Sequence, residues 1–136
     1  MRTILAMVTA ALLLGACSAG SPVEVMSIDA KPTYDRATLD MKYQAVYDLI
    51  RDTTCTNTSD CASVGIGSKP CGGCWRNVVY STATVDADQL AILVADLGLY
   101  EAGYNQQESF VSECSVARPA QPECVSQKCV DLNAAP

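Results

Sequence analysis

Between positions 35 and 52 the apolar residues Leu39, Tyr43, Val46, Leu49 and Ile50 recur at the spacing of one helical face, with Asp40, Lys42, Asp48 and Arg51 interleaved. The pattern predicts an amphipathic helix. A second is predicted over 86–107, where Leu90, Leu93, Val94, Leu97, Tyr100 and Tyr104 share a face. Asp86 with Gln89 three residues on has the form of a capping box at its start, while Gly98 and Gly103 weaken it by about 1 kcal/mol each. Between the helices, Ala62, Val64 and Ile66 alternate with Ser63 and Gly65, and 77–81 is rich in strand formers. The intervening Gly67-Ser68-Lys69-Pro70-Cys71-Gly72-Gly73-Cys74 is dense in turn residues, so the two strands are expected to form a hairpin. After the second helix, 114–117 and 128–132 read as two more short strands around Pro119 and Pro122. The order α-β-β-α-β-β predicts an α+β fold, a small disulfide-stapled antiparallel sheet with two covering helices.

The first 33 residues follow a different logic. Arg2 supplies a short basic region, Ile4 to about Leu14 an apolar stretch too short to stay in a bilayer as a spanning helix, and Leu14-Gly15-Ala16-Cys17 a run of small residues ending in cysteine. That run resembles the bacterial lipobox. The resemblance implies a signal peptide over 1–16, cleavage before Cys17, a diacylglycerol on the Cys17 sulfur and an acylated amine, palmitate being a usual chain. Two or three acyl chains, at about 0.8 kcal/mol per buried methylene, anchor a protein stably where one does not. Ser18 in place of an aspartate implies sorting to the outer membrane, facing the periplasm, in a Gram-negative envelope. Residues 17–33, with Gly20, Pro22 and Pro32 and no apolar period, are expected to be a tether. A single cysteine-rich domain is expected over 34–132, with 133–136 a frayed tail.

Charge and missing residue types narrow the function. Loss of Arg2 with the leader leaves eight basic against fifteen acidic residues, a net charge of −7 with the cations scattered, which argues against nucleic acid as a partner. The chain has no histidine, which removes Ser-His and Cys-His catalysis, and it has no Ser-x-x-Lys pair. The acidic residues are assigned to helix faces, helix starts and the tether, where solvation and capping account for them. No catalytic residue, cofactor or metal is therefore expected.

The chain has eight cysteines. With Cys17 carrying lipid, the remaining seven are Cys55, Cys61, Cys71, Cys74, Cys114, Cys124 and Cys129, an odd set that predicts three disulfides and one spare thiol outside the cytoplasm. Local clasps Cys55/Cys61 and Cys124/Cys129 are expected, with Cys71 joined to Cys114 and Cys74 left over. Cys71-Gly72-Gly73-Cys74 is also a C-x-x-C. A thioredoxin-like site needs a helix after the first cysteine, whereas 75–79 reads as strand, and a zinc site lacks a second close C-x-x-C or any histidine.

Cys61, Pro70-Cys71-Gly72-Gly73, Val79-Tyr80-Ser81, Tyr104-Asn105, Cys114, Cys124 and Cys129 together resemble a group of small cysteine-rich exported bacterial proteins with a Pro-Cys-Gly-Gly turn before a Tyr-Ser strand. The resemblance covers 55–132. Proline commonly follows the two glycines there, so Cys74 is a departure, and the other six cysteines would be the shared framework. The resemblance implies a fold and supplies no activity.

Three functions fit these features. The leading one is a non-enzymatic envelope module that binds a protein or cell-wall component, or inhibits one, through the glycine-rich hairpin and its Lys69, Trp75 and Arg76, since Trp and Arg concentrate binding energy. The alternatives are a thiol-disulfide redox protein using Cys71 and Cys74, and a structural envelope lipoprotein. Trp75 itself is expected inside, beside the sheet, because a chain with one Trp and one Phe needs its large residues in the core. Tyr43, Tyr47, Tyr100 and Tyr104 are expected to be helix-packing residues.

Overall fold

The computed structural model describes residues 31–134. The expected signal peptide, Cys17 and most of the expected tether lie outside the described residues. Helix α1 spans Arg36–Leu49, and Asp35 starts it by accepting from the Thr38 N–H at 2.8 Å and from the Thr38 hydroxyl at 2.8 Å. Those two donors hold the Asp35 carboxyl below the usual carboxylate range. Leu39 and Val46, two turns apart, are buried on one side, followed by Ile50 at the C-cap.

Helix α2 spans Ala87–Gln107, opened by Asp86 accepting from the Gln89 N–H at 2.9 Å. It runs through both glycines. At Gly103 a Cβ would lie 2.1 Å from the Tyr34 ring, so the missing side chain seats that tyrosine. Tyr34 is further tied to α2 by paired hydrogen bonds between its backbone and the Gln107 amide and by an edge-on contact with Tyr100. The buried face of α2 is Leu90, Leu97, Glu101 and Asn105, apolar in the first half and polar in the second. Leu39, Val46, Ile50, Ile66, Val85, Leu90 and Leu97 make the core between the helices and the first hairpin.

Strands β1 (Cys61–Ile66) and β2 (Arg76–Ser81) pair antiparallel, from Cys61 opposite Ser81 to Ile66 opposite Arg76. A second ladder joins β3 (Pro122–Val125) and β4 (Lys128–Asp131). The expected single sheet is thus two separate two-stranded ladders. The strand expected over 114–117 is absent, and that stretch is an irregular, largely exposed segment. Strand β3 lies later because Ser126 and Gln127, both with positive φ (52° and 60°), make the two-residue turn that sets the hairpin register.

The bridges are Cys55–Cys124, Cys61–Cys129 and Cys71–Cys114, with Cα separations of 6.0, 5.4 and 5.4 Å. The local clasps Cys55/Cys61 and Cys124/Cys129 do not form. Cys124 and Cys129 are cross-strand neighbours whose partners come from the segment that precedes β1 and from β1 itself. One long-range bridge consequently fastens the second hairpin to the first, and another fastens it to the segment before β1. Loops of 69, 68 and 43 residues restrict the unfolded chain by about 4 kcal/mol each on the chain-entropy model. Among the described residues no helix is long and apolar enough to cross a membrane.

Candidate functional site

The connection from β1 to β2 is built around one carboxylate. Glu101, 7% exposed on α2, accepts from the Ser68 N–H at 2.6 Å and the Tyr43 hydroxyl at 2.9 Å on Oε2, and from the Trp75 indole N–H at 3.1 Å on Oε1. One side chain thereby joins α1, α2 and both ends of the turn. Burial, followed by the hydrogen bond to Glu101, pushes the Tyr43 phenol above its ordinary value. One turn further along α2, the Asn105 amide donates to the Ser68 carbonyl at 2.8 Å.

The approach of the turn to Glu101 depends on Gly67. Its φ is +79°, and a Cβ there would sit 2.3 Å from the Tyr43 hydroxyl and 2.7 Å from both Glu101 Oε2 and Trp75 Cδ1. Gly72 and Gly73 also have positive φ, but a Cβ on either meets nothing, so backbone conformation alone calls for glycine there.

Lys69 is not at the surface. It is 7% exposed, its ammonium donates to the Ser115 carbonyl at 2.7 Å and the Ser115 hydroxyl at 3.1 Å, and it lies over the Trp75 ring at 5.6 Å. Together with Cys71–Cys114 and the Asn77 amide donating to the Arg118 carbonyl at 2.7 Å, it straps the irregular 112–118 segment to the turn.

Trp75 is 40% exposed, so it does not fill the core. Its N–H is spent on Glu101 and one face on Lys69, which leaves a rigid indole at the wall of an open groove of 670 Å³. Tyr43, Tyr47, Arg76 and Leu39 line the same groove, with Glu101 at its base. Arg76 is exposed and lies 5.9 Å from the centre of the Tyr47 ring, itself stacked on Tyr43 at 6.4 Å. Arg36 and Asp40 pair across one helical turn at 2.9 Å on the rim. Tyr43 and Tyr47 are therefore groove residues as well as helix-packing ones.

Of the residues expected at a binding surface, Trp75 and Arg76 come together and Lys69 supports them from behind. Glu101 and Gly67 were not expected at the site. Glu101 carried a signal, since it sits at an inward position of the Leu90, Val94, Leu97, Tyr104 stripe, where a charge is out of place unless something pairs with it. Cys74, half-buried, is the cysteine outside the three bridges among the described residues, and Cys71 is bonded to Cys114 rather than available to Cys74. The Cys74 sulfur lies against Gly65, where a Cβ would come within 2.7 Å of it. No family model matches the chain, and the searches of curated proteins and of solved structures found no match either.

Proposed function

We propose that the chain is an exported lipoprotein, anchored by lipid at Cys17 and facing the envelope. Its disulfide-stapled domain is a non-enzymatic module that binds a protein or wall component in the groove between α1 and the β1–β2 turn. The observation that carries this reading is the half-exposed Trp75, held in one orientation by Glu101 and Lys69 with Arg76 beside it. Orienting a large aromatic in advance removes part of the ordering cost of binding. Arg76, stacked on Tyr47, offers a planar donor fork to a partner's acceptors. Lipobox and tether add the delivery, holding the groove within reach of a membrane surface.

The test is retention of envelope proteins and of purified wall material on the immobilised domain. The wild-type domain retains a component, and Trp75→Ala or Arg76→Ala releases it by tenfold or more, about 1.4 kcal/mol. Equal retention by both variants, each shown to keep its fold by circular dichroism, rejects the groove as the binding face.

A further inference from the structure

The two bridges carried by the second hairpin lie against each other. The sulfurs of Cys55, Cys61 and Cys129 are all within 4.8 Å of one another, and the Cys124 sulfur is bonded to that of Cys55 at 2.05 Å. Cys55 and Cys129 are buried at 3% and 6% exposure. A tetrahedral ion with metal–sulfur bonds of about 2.3 Å needs its four sulfurs roughly 3.8 Å apart, so the Cys124 side chain has to turn in toward the other three once its bond to Cys55 is open.

The positions of these cysteines do not rest on the bridges alone. The Cys55 N–H donates to the Gln127 carbonyl at 3.1 Å, and the Cys129 N–H to the Thr53 carbonyl at 2.8 Å, either side of a backbone bridge between Thr54 and Lys128. Cys124 is set opposite Cys129 by the β3–β4 ladder, and Cys61 opposite Ser81 by the β1–β2 ladder. The Ser81 hydroxyl ties that ladder to the Thr54 carbonyl, next to Cys55. None of these bonds involves sulfur. They connect the four backbones through contacts separate from the sulfur–sulfur bonds. The four residues also come as two pairs close in sequence, Cys55 with Cys61 leading into β1 and Cys124 with Cys129 across the β3–β4 hairpin. Closed four-thiolate sites are built from two such close pairs, and here four residues separate Cys124 from Cys129 and five, one more than usual, separate Cys55 from Cys61.

We propose that, once a dithiol reductant has opened both bridges, Cys55, Cys61, Cys124 and Cys129 hold one divalent ion of the zinc class. Each bridge takes two electrons and two protons from a dithiol, which leaves as a disulfide. The sulfur–sulfur bond breaks to two thiols. Metal binding then displaces four protons and forms four metal–sulfur bonds, so the same four segments stay joined in the reduced chain. Soft thiolates select zinc-class ions over the oxygen-seeking magnesium and calcium.

The test starts from the unlipidated full chain, whose eight cysteines are reduced with a phosphine that is then removed without air. Cobalt(II) is added stepwise, followed by zinc. The expected result is the intense visible spectrum of tetrahedral cobalt thiolate, saturating at one equivalent and bleached by zinc, with four of the eight thiols shielded from a thiol reagent. The spectrum disappears in Cys61→Ser/Cys129→Ser and persists in Cys71→Ser/Cys74→Ser/Cys114→Ser. Should reduction unfold the chain, one equivalent of cobalt restores the far-ultraviolet dichroism of the oxidised protein. The proposal is overturned by the absence of a tetrahedral thiolate spectrum at one equivalent, by its survival in Cys61→Ser/Cys129→Ser, or by a reduced chain that stays unfolded in cobalt.

Discussion

Glu101 and Gly67 explain each other. A carboxylate nearly removed from water costs several kcal/mol unless donors replace the water. The donors come from a backbone N–H, a phenol and an indole that meet only where the chain passes Gly67 without a side chain. Gly67→Ala should therefore destabilise the fold by clearly more than the ~1–2 kcal/mol of a left-handed alanine, because the new methyl also pushes into Tyr43, Glu101 and Trp75. Gly72→Ala should cost only the conformational share. Urea unfolding of the two variants side by side checks this, and equal losses would contradict it.

Tyr43 ties the same cluster to pH. Its phenol is held neutral by burial and by the Glu101 carboxylate, so its folded pKa lies above the unfolded value of about 10. A raised pKa contributes stability that is complete below the unfolded value. That stability declines as pH rises past about 10, where the unfolded chain sheds its proton first. The expected outcome is a loss of stability between neutral pH and about pH 11 that is smaller in Tyr43→Phe than in the wild type. Tyr43→Phe should also be less stable at neutral pH by about 1–2 kcal/mol, for the donor that Glu101 loses. Denaturant midpoints at the two pH values measure both effects.

At the scale of elements, the helices and the first hairpin were legible because each repeats its own period: Leu39 and Val46 two turns apart, Leu90 and Leu97 likewise, and Ala62, Val64 and Ile66 in alternation. The second hairpin was misread at its first strand. Apolar Val116 favours a strand, but no strand pairs with 114–117 and Val116 is 91% exposed. The actual turn, Ser126-Gln127, takes positive φ at both residues without the Asn-Gly that advertises such a turn. That mismatch makes a prediction. S126N/Q127G should stabilise the domain by about 1 kcal/mol or more by removing two left-handed penalties, read as a higher midpoint in thermal melts. A lower midpoint would mean that the Ser126 or Gln127 side chain contributes more than its backbone costs.

At the scale of the molecule, the cysteine count was legible and the connectivity only in part. Among the described residues seven cysteines form three bridges and leave Cys74, whereas spacing favoured local clasps that the second hairpin rules out by presenting Cys124 and Cys129 to different segments. The groove was half legible. Trp75 and Arg76 stand out by residue type, but Lys69 reads as a surface cation and is a buried strut. Glu101, grouped with the solvated acidic residues although it falls in the apolar stripe of α2, is the centre of the site. Polar residues that fold inward leave little trace in a pattern built on apolar spacing.

The proposed molecule is an anchored domain with three bridges and one spare thiol. Intact mass of the membrane-extracted protein, alkylated before and after reduction, tests it most directly. The predicted result is a chain starting at Cys17 and carrying diacylglycerol and an acyl chain, with one site alkylated before reduction, at Cys74, and six more after it. A chain that retains residues 1–16, carries no lipid and closes four bridges would contradict the account.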